Sequence, residues 1–147
     1  MRRTRIAVAA LSLATLAGAP IQAVARGPAR SAWKAAPEGT FKLTRFVLTR
    51  RLEHRQPADS VDSAPCDGER VYAFVELFNK GPGQRVVMTW KRDGNRAASY
   101  RLAVGRSPSW KTWSYQRSTG FMKGRWTITL HDEAGTLLGQ KRLAICQ

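Results

Sequence analysis

Polar and apolar residues alternate through most of the chain after residue 40, as they do in β-strands that bury one face. In the segment GRWTITLHD, Trp126, Ile128 and Leu130 fall on one face, and the residues between them fall on the other. The segment VYAFVELF is apolar on both faces apart from Glu76, which is typical of a central strand that is covered on both sides. The pattern therefore predicts a sheet protein with an apolar interior.

Turn residues interrupt this alternation every eight to twelve residues, at Gly81-Pro82-Gly83, Asp93-Gly94, Ser107-Pro108 and Ala134-Gly135. Asp93-Gly94 favours a tight type I′ hairpin, because both residues tolerate a positive φ. No segment has the pattern of an amphipathic helix, so the sequence favours an all-β, antiparallel, immunoglobulin-like sandwich over a barrel. The seven predicted strands are residues 41–50, 70–79, 84–92, 96–104, 110–117, 124–131 and 136–145.

The first forty residues do not follow this alternation. Three arginines precede an apolar run of 14 residues, and small residues precede a cleavage point after Ala25. The run is too short to cross a bilayer of about 30 Å as a helix. We therefore expect a signal peptide at residues 1–25, a flexible basic arm at residues 26–40 and the sandwich domain at residues 41–147. A periplasmic or secreted location follows, with no transmembrane segment after cleavage.

The chain is strongly basic, with a formal net charge of +15. After Ala25, 22 lysines and arginines stand against 10 acids, a net charge of +12. Such a surface attracts anionic partners in a salt-dependent way. For an exported protein we expect an anionic envelope glycan, a lipid headgroup or an acidic protein, and nucleic acid is disfavoured. The charge is also compatible with a role in solubility alone.

Cys66 and Cys146 are the only cysteines in the sequence. An even pair in an exported protein predicts a disulfide, which would close a loop of about 80 residues and stabilise the fold by about 4–5 kcal/mol. A redox-active or metal-binding thiol pair is the alternative. It is disfavoured because the sequence has no C-x-x-C and no nearby histidine cluster.

No catalytic motif is complete in the sequence. His54 and His131 are the only histidines, and a metal site completed by Glu53 or Asp132 would require distant strand ends to meet. The segment GRSPS falls one residue short of G-x-S-x-G, and neither a carboxylate pair nor a phosphate-binding loop is visible. We therefore expect no enzyme activity, no catalytic residues, no metal and no cofactor. The alternative of a periplasmic hydrolase would require polar groups clustered in a pocket.

Aromatic and cationic residues are concentrated in the segment SPSWKTWSYQR. Rings can stack on sugars or bases, and neighbouring cations can hold phosphates or carboxylates. The segment therefore predicts a binding surface made of Trp110, Lys111, Trp113, Arg117 and Arg106. Because alternation places the two tryptophans on opposite faces, one of them is expected to pack inside. The alternative is a purely structural domain, in which one tryptophan is core and the other covers the sheet edge.

The order of several short blocks resembles the bacterial family catalogued as domain of unknown function 2914. The resemblance covers about residues 41–145, and its blocks are RQPAD at 55–59, RVYAFVEL at 70–77, residues 83–90, WKTWS at 110–114, GRWT at 124–127 and GTLL at 135–138. The chain departs from the family pattern at Gln56, Ala58 and Lys111, and Met88 replaces a histidine. The resemblance implies an exported or envelope-associated β-sandwich without an established activity.

Overall fold

A computed structural model describes residues 39–147 of the chain. The predicted signal peptide, residues 1–25, and nearly all of the predicted basic arm, residues 26–40, lie outside the described residues. Between Gly39 and Gln147, no helix has the length and apolar composition that a membrane crossing requires.

The described residues form ten strands and one short 3₁₀ turn. All seven predicted strands are present, each within three residues of its expected ends, and three strands of two residues each were not predicted. The elements are β1 (Phe41–Thr49), β2 (Leu52–Glu53), β3 (Gln56–Pro57), β4 (Ser63–Ala64), β5 (Arg70–Asn79), β6 (Gln84–Arg92), β7 (Asn95–Val104), β8 (Ser107–Arg117), the 3₁₀ turn Gly120–Met122, β9 (Gly124–Asp132) and β10 (Leu137–Ile145).

The long strands form two sheets that enclose one core. A three-stranded sheet has the order β1-β5-β8, and a five-stranded sheet has the order β4-β10-β9-β6-β7. All pairs are antiparallel except β4 with β10, and β2 pairs with β3 in a separate hairpin. In immunoglobulin lettering, the seven long strands follow A-B-E in one sheet and G-F-C-C′ in the other, without a strand D in the described residues. The predicted immunoglobulin-like sandwich is confirmed.

The core lies between the inward faces that the alternation predicted. Trp90 of β6 and Trp126 of β9 are the largest fully buried side chains, and their rings meet edge to face with centroids 6.2 Å apart. Trp90 also joins the two sheets, because its indole nitrogen donates a hydrogen bond to Ser114 Oγ of β8 at 2.8 Å. The hairpin at Asp93 and Gly94 has the positive φ angles, 48° and 84°, that a type I′ turn requires.

The two lateral sides of the sandwich differ. On the β1 and β10 side the sheets are in close contact, and a Cβ added to Gly139 would lie 2.6 Å from Leu43 Cδ2 and 3.2 Å from Phe46 Cδ1. On the opposite side, the edges of β7 and β8 border an open groove of about 600 Å³. The sandwich is therefore closed along one side and open along the other.

Cys66 and Cys146 form a disulfide, which confirms the prediction. Their Cα atoms are 4.9 Å apart across a sequence separation of 80 residues. The bond joins the segment after β4 to the chain end after β10, where Ala64 and Ile145 pair in parallel. A backbone hydrogen bond from Cys146 N to Ala64 O, 2.9 Å, supports the same junction. The last strand is thus fixed both by pairing and by a covalent bond.

Candidate functional site

The outer face of the three-stranded sheet carries a continuous group of aromatic rings. Alternation in β5 buries Val71, Ala73, Val75 and Leu77 inside the sandwich and directs the residues between them outward. The outward rings of β5 meet outward rings of the neighbouring β8. In register, Tyr72 lies opposite Tyr115 and Phe74 lies opposite Trp113.

These rings pack against each other across the two strands. The centroids of Tyr72 and Tyr115 are 5.7 Å apart, with the ring planes tilted by 53°. Phe74 and Trp113 are stacked, with centroids 6.4 Å apart and planes within 14°. Phe74 has no exposed surface although it points away from the core, whereas Tyr115 is 42% exposed. The rings therefore form an apolar layer on the outside of the sheet.

Cations lie over this aromatic layer. Arg70 Cζ is 4.5 Å from the centre of the Tyr115 ring, and Arg45 Cζ is 5.9 Å from that of Phe74. Lys42 Nζ and Lys80 Nζ are each 5.4 Å from the Phe78 ring, and Arg55 Cζ is 5.8 Å from the Trp113 ring. We call this surface the cation–aromatic face; it consists of Tyr72, Phe74, Phe78, Trp113 and Tyr115 with Lys42, Arg45, Arg55, Arg70 and Lys80.

Few carboxylates neutralise the cation–aromatic face. The ion pairs found between residues 39 and 147 are Arg50 with Asp67 and Arg51 with Glu53, and neither includes a cation of the face. Glu76 is the acid of β5 on this side, where it lies opposite Arg45 of β1 and Lys111 of β8 and accepts a hydrogen bond from the Ser109 hydroxyl. Among residues 39–147, no carboxylate comes within ion-pair distance of a cation of the face.

Arg70 shows how the rings hold a cation. Its Nη1 donates a hydrogen bond of 3.5 Å to Tyr72 Oη, and its guanidinium lies over the Tyr115 ring. The hydrogen bond to Tyr72 and the adjacent Tyr115 raise the pKa of Arg70 above its ordinary value. Arg70 is therefore a permanent cation whose position is set by two aromatic neighbours.

Arg55 reaches the face from the β2–β3 hairpin. His54 and Arg55 occupy the turn with φ angles of 50° and 61°, a conformation that residues other than glycine and asparagine adopt rarely. The segment that follows is fixed by Asp59, whose carboxylate accepts hydrogen bonds from Thr49 Oγ1 and from Arg50 N, the latter at 2.9 Å. Burial raises the pKa of Asp59, but these hydrogen bonds outweigh burial and lower it overall. The carboxylate is thus ionised at neutral pH and anchors the segment next to Arg55.

The sequence pattern assigned no site to Arg55 or to the cations of β1 and at the ends of β5. Arg55 and Asp59 are the first and last residues of the RQPAD block. The block was therefore recognisable in the sequence, but nothing in it indicated that Arg55 belongs to a site. Nothing in the local pattern of Lys42, Arg45, Arg70 or Lys80 marks them, because each is an ordinary outward residue at or beside a strand. For Lys42, Arg45 and Arg70 the ring belongs to the neighbouring strand, whereas Lys80 lies over Phe78 of the strand that it directly follows.

The structure separates the five residues predicted for binding. Lys111, Trp113 and Arg117 belong to the outward series of β8. Trp110 points the opposite way and packs against the core, where its ring covers Gly105 so closely that a Cβ there would lie 2.5 Å from Cζ3. Arg106 is exposed in the turn between β7 and β8. The two tryptophans thus lie on opposite faces of β8, as the alternation predicted.

The chemical groups of the face are cations and aromatic rings. The face combines donors and permanent positive charge with apolar rings, and within it Glu76 has no partner acid for general acid–base work. His54 lies in the β2–β3 turn, and His131 pairs with Val87 on the other sheet. In the described part of the chain, no three side chains among histidine, cysteine, aspartate and glutamate are grouped to hold a metal ion.

Comparison with family models identifies residues 83–145, which match the family described as "Protein of unknown function (DUF2914)". No curated protein matches the chain significantly. The matched segment runs from just before β6 to the end of β10, so it includes β8 and the Trp113 and Tyr115 rings. The resemblance seen in the sequence is confirmed over these residues. Over residues 83–145, the chain is similar to the family of proteins of unknown function DUF2914.

Proposed function

We propose that this protein is a non-enzymatic binding module that contacts an anionic partner of the cell envelope through its cation–aromatic face. One observation carries the proposal: five cations lie over aromatic rings on a single face, and none of them forms an ion pair with an acid of residues 39–147. An ion pair within the protein would neutralise such a cation and weaken its attraction for an external anion. Here the rings fix the positions of the cations, and no acid of residues 39–147 is paired with them.

The rings orient the cations without neutralising them. A cation over a ring gains about 0.5–1 kcal/mol at an exposed site, and the hydrogen-bond donors at the edge of a guanidinium remain free. Ordering these long side chains in advance reduces the entropy that binding would otherwise cost. Carboxylate, phosphate and sulfate groups are the ligands that such an array of donors accepts.

The disulfide supports a location outside the reducing cytosol, since such bonds persist in oxidising compartments. The signal peptide predicted at residues 1–25 also favours export from the cytosol. We therefore place the binding function in the periplasm or outside the cell, where the partner would be an anionic glycan, a lipid headgroup or an acidic protein.

Charge reversal on the two faces of the sandwich tests the proposal. The test variant is Arg45→Glu with Arg70→Glu on the cation–aromatic face, and the matched control is Arg96→Glu with Arg101→Glu on β7, outside that face and at equal net charge. Binding of poly-L-glutamate, heparin and anionic vesicles is measured at about 50 mM and about 300 mM salt, because exposed charges are screened over this range. Thermal unfolding confirms that both variants fold.

We expect the face variant to lose at least about tenfold in affinity for one of these probes, corresponding to about 1.4 kcal/mol, while the control loses clearly less. Equal losses in both variants would mean that net charge alone governs binding and that the cation–aromatic face has no special role. That result would favour the alternative of a structural domain without a ligand surface.

A further inference from the structure

On the open side of the sandwich, one strand edge has no paired strand among residues 39–147. Among the described strands, β8 pairs only with β5, so the backbone groups on its other edge face the groove that separates it from β7. A side-chain hydrogen bond of 3.0 Å from Gln116 Nε2 to Tyr100 Oη links the two strands, but β7 and β8 form no ladder. We call the space between them the β8 groove; Tyr100, Leu102, Gln116 and Met122 are among its lining residues.

The β8 edge carries only part of the protection against strand addition that natural edge strands have. Such strands are protected by shortness, by proline, by bulges, by charged side chains on the edge or by charged residues that point inward. β8 is 11 residues long, and its inward residues Trp110, Thr112, Ser114 and Gln116 carry no charge. Pro108 and the register shift of the β5–β8 pairing both lie at the start of β8, which leaves residues 110–117 regularly paired with β5. The immunoglobulin position next to this strand, that of strand D, is also empty in the described residues.

We propose that the β8 edge binds an extended peptide of alternating apolar and acidic residues, which continues the three-stranded sheet as a fourth strand. Side chains of such a strand alternate between the two faces of the sheet. The inward set would lie in the β8 groove against Leu102 and Met122, and the outward set would lie beside Lys111 and Arg117. The acidic requirement rests on the proposed function, since the outward set extends the cation–aromatic face.

The positive charge beside the β8 edge favours an acidic peptide over two alternatives, a second copy of the chain and the chain's own residues 26–38. A second copy of the chain pairing through β8 would bring Lys111 and Arg117 of both copies onto one face, where like charges repel. The chain's own residues 26–38 contain Arg26, Arg30 and Lys34 against Glu38, so they too carry net positive charge. An acidic segment of another protein is the partner whose charge complements the edge.

Four synthetic peptides of about eight residues, a common strand length, test the proposal on the full chain. The first alternates isoleucine and glutamate, and the second has the same composition with the two residue types in separate blocks. The third and fourth are the alternating peptide with N-methyl groups on the odd or on the even backbone amides. Two charge variants of the first peptide, with lysine or glutamine in place of glutamate, complete the set. Affinity is measured by calorimetry, and the bound edge is located by hydrogen exchange of the backbone amides.

We expect the alternating peptide to bind at least about tenfold more tightly than the block peptide, a difference of about 1.4 kcal/mol, and to protect amides within β8. One N-methylated peptide should lose binding while the other retains it, because amides two residues apart point to the same side of a strand. In the variant Lys111→Glu with Arg117→Glu, the preference should reverse toward a peptide of alternating isoleucine and lysine.

Several results would overturn strand addition. If all four peptides bind equally and leave β8 unprotected, the protein recognises anions without strand pairing, and only the proposed function survives. If a glutamine-for-glutamate peptide binds as tightly and still protects β8, the edge pairs without charge, and the acidic requirement and its link to the proposed function both fail. Protection of β7 instead of β8, or self-association that shields β8 without peptide, would also contradict the proposal.

Discussion

A single hydroxyl group at the centre of the sandwich joins the two sheets. Ser114 of β8 is 5% exposed, and its Oγ accepts a hydrogen bond from Trp90 Nε1 at 2.8 Å and lies 2.8 Å from Met88 Sδ. A buried indole nitrogen without an acceptor costs free energy, because it has lost its hydrogen bond to water. Ser114 is therefore polar at an inward position because it supplies the acceptor that the buried Trp90 indole requires.

Replacing Ser114 by alanine should destabilise the fold by about 1–3 kcal/mol, the cost of leaving a buried donor unsatisfied. The free energy of unfolding is measured by urea denaturation and compared with that of Ser60→Ala, which changes an exposed serine. The control should stay within about 0.5 kcal/mol of the wild type. A Ser114→Ala protein as stable as the control would show that Trp90 finds another acceptor.

The turn between β2 and β3 could not be predicted from the residues that form it. His54 and Arg55 form the β2–β3 turn at positive φ without the asparagine or glycine that would signal it. By contrast, Asp93-Gly94 carries that signal, and the hairpin was predicted there. The position of Arg55 over Trp113 could not be predicted, since it depends on a turn without turn residues.

At the scale of elements, the short strand β4 depends on contacts that are distant in sequence. It consists of two residues, pairs in parallel with the end of β10, and precedes the cysteine that is bonded to Cys146. Two-residue strands have no detectable alternation, which is why β2, β3 and β4 were absent from the predicted strands. The disulfide therefore holds β4 against β10, with which β4 pairs through only two residues.

The double variant Cys66→Ala with Cys146→Ala should lose about 4–5 kcal/mol of stability, because the unfolded chain is no longer constrained by a loop of 80 residues. Urea denaturation of the variant and of the oxidised wild type measures the difference. Wild-type protein under oxidising conditions should show no reactive thiol. An unchanged midpoint, or two titratable thiols in the wild type, would contradict this role.

For the molecule as a whole, the carboxylates of Asp59 and Asp67 make the free energy of unfolding depend on pH. The pKa of Asp67 is lowered by hydrogen bonds from Glu69 N and from the Ser118 hydroxyl, and that of Asp59 is lowered by the hydrogen bonds to Thr49 and Arg50, which outweigh its burial. A carboxylate whose pKa is lower in the folded state stabilises the fold when it is ionised. This contribution is complete above the ordinary value of 3.8 and is lost as the pH falls through the lowered values.

The free energy of unfolding should therefore decrease as the pH is lowered from about 5 to about 2, with the steepest change below the ordinary aspartate pKa. In Asp59→Asn, stability at neutral pH should be lower and its decrease toward acid should be shallower, because one linked proton is removed. Urea denaturation at each pH measures both quantities. A variant whose pH dependence parallels that of the wild type would show that Asp59 does not contribute.

Part of the candidate site was predictable because it depends on alternation within the single strand β8. Alternation within β8 predicted that Trp110 and Trp113 lie on opposite faces, and the pairing with β5 places them so. Alternation could not show that the outward side of β8 adjoins the rings of β5, because the order of strands in a sheet depends on pairing between distant segments. Whether these residues bind a partner remains a prediction.

Local pattern was enough to predict the seven long strands, their inward faces, the Asp93-Gly94 hairpin and the available cysteine pair, since each follows from residues close together or from their number. Only the folded chain brings cations of β1, of the β2–β3 turn and of the start of β5 over rings of β5 and β8, whereas Lys80 and Phe78 are neighbours within one segment. Among residues 39–147, it also leaves one edge of β8 without a paired strand. The physical reason is that a period of two fixes where a side chain points, whereas only long-range pairing fixes what it meets.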